Sequence, residues 1–368
     1  MINFLKKKSL AELTASSKSS GLARTLGAFD LVMIGLGVII GTGALVLTGD
    51  VAANYAGPSI MISYVIAGFI CIFVALAYSE LATMMPTSGS LYSYSYVAYG
   101  ELFAWLVSGL LIIELCFAAA TVAAGWSAYI VNIIESSGID LPDSITKVPS
   151  EGGMINLPCI IIISLLGFIL YRGTKDSKLV NAILVYVKIA VLGIFIFLAL
   201  PHFELSNWDN FVPFGPEKMI AGSAILFFAY TGFSGLACVA EECKNPGKDL
   251  KIGIILSLVL AIIIYLLVAG ALTGIVPYTE LGNAAPFANA LKLKGTKIGA
   301  VIIAVGALCA MTNVLLMLIY TISRLFYVIG RDGLIPKFFA KLHPKYDSPY
   351  ISIVVFSVFA MLLAGFIP

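Results

Sequence analysis

Charge is what this chain has least of. Of its 368 residues, 22 are Lys or Arg and 20 are Asp or Glu. Together they make 11%, against about 25% in an ordinary soluble domain. With 60% hydrophobic residues and a mean hydropathy of +1.02, a soluble globular fold is excluded. A net charge of +2 gives no basis for a nucleic-acid partner. The six cysteines, Cys71, Cys116, Cys159, Cys238, Cys243 and Cys309, are scattered and lack metal-ligand spacing, so they read as buried thiols. There is no Walker-type phosphate loop, metal-binding helix motif or nucleophile elbow. Hence no enzyme chemistry, cofactor or metal is expected. The first apolar run follows some 25 mostly polar residues and is long, which marks a span rather than a cleaved signal.

What the chain does have is long apolar runs. A membrane crossing takes about 20 apolar residues. Candidates fall near 27–50, 58–85, 98–135, 154–170, 178–200, 218–240, 251–276, 298–328 and 350–367. The spacing predicts an all-α polytopic membrane protein of about nine spans. The third and eighth runs exceed one bilayer thickness and so must tilt or extend into water. Residues 1–26 form a polar leading segment, and 27–368 one transmembrane domain. With the N-terminus on the cytoplasmic side, Lys and Arg favour the inner loops over the outer ones by about three to one. The location expected is a plasma or inner membrane. Tyr92, Tyr94, Tyr96 and Tyr99, near the start of the third span, read as an interfacial aromatic belt.

The first span is interrupted by its own composition. Gly35, Gly37, Gly41 and Gly43, with Thr42 between the last two, sit among apolar residues. Each glycine costs a helix about 1 kcal/mol relative to alanine. Freed backbone groups have no partner in lipid, so a break there must face protein or a polar cavity. One reading is close helix packing through small residues; the other is a discontinuous helix that binds solute. No tandem repeat is evident, but the sixth span carries an echo, Phe227-Phe-Ala-Tyr-Thr-Gly-Phe-Ser-Gly235. Breaks at corresponding positions of two halves point to an inverted-repeat transporter with its site between them.

Two ionisable residues lie at depth. Lys188 is near the middle of the fifth span, about 15 Å of helix from either end, too deep to snorkel. It is either half of a structural ion pair or an amine that carries a proton, since desolvation works against its charged form. Its ammonium can also occupy the place of a sodium ion. Glu114, in the third span, is either neutral and bonded to backbone, or a proton acceptor that sets the polarity of a cavity. Glu80 falls near the inner end of the second span, at the interface. Glu241 and Glu242 close the sixth span as gate or topology residues, and Asn313 in the eighth reads mainly as a packing residue.

At this point the chain resembles the amino acid–polyamine–organocation superfamily, in particular its cationic amino-acid transporter branch. The matching pieces include Leu26-Gly-Ala-Phe-Asp30, Gly37-Val-Ile-Ile-Gly-Thr-Gly43, Pro86-Thr-Ser-Gly-Ser90, Gly125-Trp-Ser127, Phe227-Phe-Ala-Tyr-Thr-Gly-Phe233 with Glu241-Glu242 and Asn245-Pro246, and Arg331-Asp-Gly-Leu-Ile-Pro336. Their order and spacing span nearly the whole chain. The resemblance implies the leucine-transporter-type fold, with helices 1 and 6 discontinuous. It implies that a substrate carboxylate meets the N–H groups of Gly41, Thr42 and Gly43, and that an α-ammonium meets carbonyls of Ile39, Phe228, Ala229 and Thr231. Phe228 and Phe233 would form a gate or side-chain pocket. Lys188 matches a lysine that replaces a sodium site in relatives, and Glu114 the acid of the third helix.

Two departures weaken the case for a cationic substrate. Ser234 stands where relatives often have an acid, and Ala44 and Leu45 stand where they often have larger residues. Nine spans against the ten of the inverted-repeat core suggest a fragment ending before the tenth. The expectation is secondary active amino-acid transport, proton-coupled symport by alternating access, with the amino acid, protons and the bilayer as partners and a homo-oligomer left open. A sensor or channel using the same site is the alternative. A retinal-bearing lysine is a weaker one, given the span count and the absence of an evident counter-ion.

Overall fold

A computed structural model describes residues 7–10, 12, 22, 24–41, 43–136, 138–283 and 285–367. Among them the chain is helical, its one β-bridge joining Leu26 to Cys243. The first span begins as α1 (Ala28–Ile39), where the Asp30 carboxylate accepts the Gly27 N–H at 2.9 Å, closing an orphan donor of the first turn. Winding stops at Ile40, whose ψ is 98°, and resumes at Gly43 as a π-helical turn, Gly43–Leu47. It continues through α2 (Thr48–Val51) and a second π turn, Ala52–Ala56, to a corner at Gly57 and Pro58.

The remaining main helices are α3 (Ile60–Met84), α4 (Leu91–Tyr99), α5 (Glu101–Ser136), α6 (Leu157–Tyr171), α7 (Thr174–Ala199), α8 (Gly215–Tyr230), α9 (Ser234–Ala237), α10 (Pro246–Ile275), α11 (Pro286–Leu293), α12 (Lys297–Asp332) and α13 (Tyr350–Phe366). Prolines sit in the first turn of α6, α8, α10 and α11, where the missing N–H costs nothing. The bounds reproduce the nine expected spans. Six stretches among the described residues are long and apolar enough to cross a membrane, and three shorter apolar helices, α1, α6 and α13, make up the rest. Helices α5 and α12, at 36 residues each, are about 54 Å long and exceed a hydrocarbon core of about 30 Å.

The helices sort into two groups. The two halves of the first span, α3, α8 and α10 pack mainly on one another. So do α5, α6, α7, α12 and α13, with α4 seated on α5. The first group takes spans one, two, six and seven and the second takes three, four, five, eight and nine, which, the fifth apart, is the pairing of first-half with second-half spans expected of an inverted repeat. Helix α12 is the most enclosed of the six long spans.

The aromatic-belt reading is corrected here. Tyr92, Tyr94 and Tyr96 are buried in protein and only Tyr99 is exposed. The Tyr92 hydroxyl donates to Asp332 at 3.0 Å and that of Tyr96 to Glu101 at 3.0 Å. A short helix folded back into the bundle has the same composition as one lying at the membrane surface.

Candidate functional site

The two interrupted spans meet. The second break mirrors the first: α8 ends at Tyr230, Thr231 is extended (ψ 149°), Gly232 has φ +121°, and helix resumes in α9. Such a φ is one that L side chains rarely adopt, so the reversal depends on glycine. The breaks approach so closely that a Cβ on Gly43 would lie 2.7 Å from the Ala229 Cα.

Backbone accounting at the first break is nearly closed by side chains from far along the chain. Lys188 Nζ donates to the carbonyls of Gly37 and Ile40, both at 2.8 Å, and to Asn313 Oδ1 at 2.7 Å. The Tyr265 hydroxyl lies 2.7 Å from the Ile39 carbonyl and 2.8 Å from that of Ala229, bridging both breaks. Gly41 O takes the N–H groups of Ala44 and Leu45. By contrast, the N–H groups of Gly41 and Gly43 close no hydrogen bond on another described residue. Two donors are thus left at the start of a half-helix, where the dipole favours an anion. Tyr64, Tyr230 and Tyr265 stack around the junction with ring centroids 5.0–6.0 Å apart, and the Tyr64 hydroxyl bonds Thr48 at 2.6 Å.

Between the two helix groups lies a cavity of about 360 Å³, walled by both breaks, α5 and α12. That is at the small end of ligand pockets, which run about 300–1,000 Å³. Ile39, Gly41, Gly43, Phe228, Ala229 and Thr231 line it, as does Glu114. Thr42 lies outside the described residues. Phe233, expected in a gate or side-chain pocket, is not on the wall: beyond the reversal at Gly232 it is buried and stands edge-on to Tyr78, which does line the cavity. Lys188 is not on the wall either. It sits directly behind the first break, 2% exposed. Its three acceptors are neutral oxygens, so the ion-pair reading gives way to an amine held by dipoles. Asn313 is more than a packing residue, since it is one of those acceptors.

A second polar cluster closes the face on which the chain begins. Glu242 is fully buried, accepts from Arg324 Nε at 2.9 Å and from the Tyr320 hydroxyl at 2.8 Å, and the Arg324 guanidinium stacks 3.6 Å from the Tyr320 ring centroid. Glu241 takes a bidentate pair from Arg331 at 2.8 and 2.9 Å, plus the Ser88 N–H at 3.1 Å. Backbone joins in: the N–H groups of Thr25 and Leu26 reach Glu242 O at 3.0 Å, and Lys244 N–H reaches Leu26 O at 2.8 Å. Both glutamates follow α9 in one helix group and both arginines sit on α12 in the other, so the two groups are tied together here. The sequence marks the glutamates as gate or topology residues but gives no sign of their partners.

Fold and cavity together define a multi-pass helical membrane protein of the leucine-transporter type. A solved Na+-coupled sialic acid symporter, substrate-bound and outward-open, superposes with a TM-score of 0.63 at 14% identity, over 96% of this chain and 80% of its own. At that identity the likeness is one of fold. A family profile described as "Amino acid permease" matches residues 26–368, and the chain belongs to that family. Among similar proteins, the methylthioribose transporter of Bacillus subtilis is 42% identical over all of this chain and 80% of its own length. The branched-chain amino acid permease BcaP of the same organism is 40% identical over 99% of this chain and 79% of its own. A mouse cationic amino acid transporter 4 is 34% identical over 96% of this chain and 57% of its own.

Proposed function

We propose that this protein is a proton-coupled amino-acid symporter working by alternating access in a plasma or inner membrane, with its N-terminal segment, residues 1–26, in the cytoplasm. The observation that carries the reading is Lys188, which reaches from α7 to the Gly37 and Ile40 carbonyls at the end of α1 and to Asn313 of α12, immediately behind the paired breaks. A substrate carboxylate meets the N–H groups of Gly41, Thr42 and Gly43. Its ammonium meets carbonyls at Ile39, Phe228, Ala229 and Thr231. The phenol of Tyr265 has one proton for the two carbonyls it touches, so those oxygens retain capacity for a cation. Leu111, Leu115, Val122 and Leu318 make most of the side-chain wall apolar, and the branched-chain relative fits that wall; Glu114 sets the polarity of one side.

Protonated Lys188 braces α1 against α7 and α12 while the site faces outward. Loss of the proton to the inside loosens that brace and favours release. Uptake of labelled amino acids into proteoliposomes, with and without a pH gradient, tests the reading. Lys188→Ala is expected to abolish the dependence on pH; unaltered pH dependence overturns it. A second reading, carriage of a thiosugar, is favoured by the 42% identical methylthioribose transporter, and methylthioribose belongs in the same uptake panel.

A further inference from the structure

Beyond the amine itself, the buried polar chain continues. Asn313 Nδ2 donates to Asn181 Oδ1 at 2.8 Å, and Asn181 lies on α7 two turns before Lys188. Both amides are buried, at 0% and 3% exposure. Their orientation follows from chemistry. An ammonium has three donors and no acceptor. The Asn313 atom facing Lys188 must therefore be Oδ1, which leaves Nδ2 toward Asn181, and Asn181 must answer with its own Oδ1. The pair fits because residue 37 is glycine: a Cβ there would lie 2.7 Å from Asn181 Oδ1 and 3.0 Å from Asn313 Oδ1.

We propose that Asn181 is a positioning residue of the coupling site: by holding the Asn313 amide with its oxygen toward Lys188, it makes the site select the ammonium over the neutral amine. The proposal rests on the coupling role given to Lys188 above. With the amide held, the site offers exactly as many acceptors as the ammonium has donors, namely Gly37 O, Ile40 O and Asn313 Oδ1. A neutral amine has two N–H donors and a lone pair, so one acceptor would face a lone pair. Asn313 could relieve that clash by turning its NH₂ group to the amine. That turn would set its oxygen against Asn181 Oδ1, acceptor against acceptor, so it requires either the loss of the Asn181–Asn313 hydrogen bond or a second turn, at Asn181 itself. Among the described residues the neighbouring elements supply no ionic partner to the amine: Asp30 begins α1, Lys248, Asp249 and Lys251 begin α10, and Arg324, Arg331 and Asp332 lie in the last turns of α12, all toward the face where the chain starts, while Lys292 of α11 lies toward the other. From Asn313 to Arg324 is about 16 Å of helix.

The test is the pH profile of uptake in proteoliposomes for the wild-type chain, Asn181→Leu, Asn181→Ala and Lys188→Ala, with counterflow at fixed pH to report a folded site. Freeing the Asn313 amide stabilises the neutral amine relative to the ammonium, so the proton is held more weakly. Half-maximal uptake is expected to move down by about one pH unit, roughly the worth of one hydrogen bond, in whichever Asn181 variant retains counterflow. An unmoved profile in a variant with counterflow, while Lys188→Ala flattens the profile, overturns the positioning role and leaves the coupling reading standing. Loss of counterflow in both Asn181 variants also overturns it, since the amide would then serve the fold and not the proton. If Lys188→Ala keeps the wild-type profile, the coupling reading fails and this proposal with it.

Discussion

Two buried charges tie the same two helix groups together, and they are built on opposite plans. Arg324, 1% exposed, meets a carboxylate, Glu242, that is wholly buried. Lys188, 2% exposed, meets three neutral oxygens. The difference decides what each can do. Removing a proton from the amine leaves no orphan ion behind. Neutralising one member of the arginine pair strands a bare charge in a dry interior, which costs several kcal/mol. In the proposed cycle the first tie can give up a proton, whereas the second has no such neutral state open to it.

Substitutions can break or sharpen that contrast. The largest effect is expected from Arg324→Ala, which leaves Glu242 buried and unpaired: about 3–5 kcal/mol of stability lost, read as a fall in thermal midpoint in detergent. The double change Glu242→Leu with Arg324→Leu should recover much of that loss, because buried pairs are often matched by well-packed apolar residues. A double variant as unstable as the single would show that the cluster contributes more than its charges. Lys188→Met should cost less, about 1–3 kcal/mol for the acceptors it abandons, while removing the response of uptake to pH. Equal losses for Arg324→Ala and Lys188→Met would erase the contrast.

Tyr265→Phe removes one hydroxyl and is expected to cost about 0.5–1.5 kcal/mol, with a larger fractional loss of uptake than of stability because both breaks lose their shared donor. At the bottom of the scale, the exposed pair Lys147–Asp143 lies on the surface; Lys147→Ala should leave midpoint and uptake at wild-type values, and a clear change in either would show that the loop has a role in the cycle.

Much of this was legible beforehand because membranes punish irregularity. Glycines at 41 and 43, a Tyr-Thr-Gly run at 230–232 and a lysine at 188 are costly in lipid, so their presence marks function. The same logic located the nine helices to within a few residues. What stayed hidden were residues that are ordinary in an apolar run. Tyr265 sits 226 positions from Ile39, the carbonyl it holds, and nothing local distinguishes it from a packing tyrosine. Asn181 lies near the start of a span, where an amide reads as interfacial. Arg324 and Arg331 counted as topology signals in the positive-inside tally, although both are inserted against glutamates. That Phe233 stands behind Tyr78 was equally hidden, because the direction of a side chain beyond a glycine at φ +121° cannot be read from spacing.

The β-bridge between Leu26 and Cys243 has a mechanical consequence. Glu242 is held at both ends, its carboxylate by Arg324 and its peptide oxygen by the N–H groups of Thr25 and Leu26. The two attachments are in series, so a pull that separates α12 from the segment after α9 is transmitted to the leading segment and along it to the start of α1. Thr25 and Leu26, just before the first span, thereby link the α12 contact to the start of α1 through a single residue.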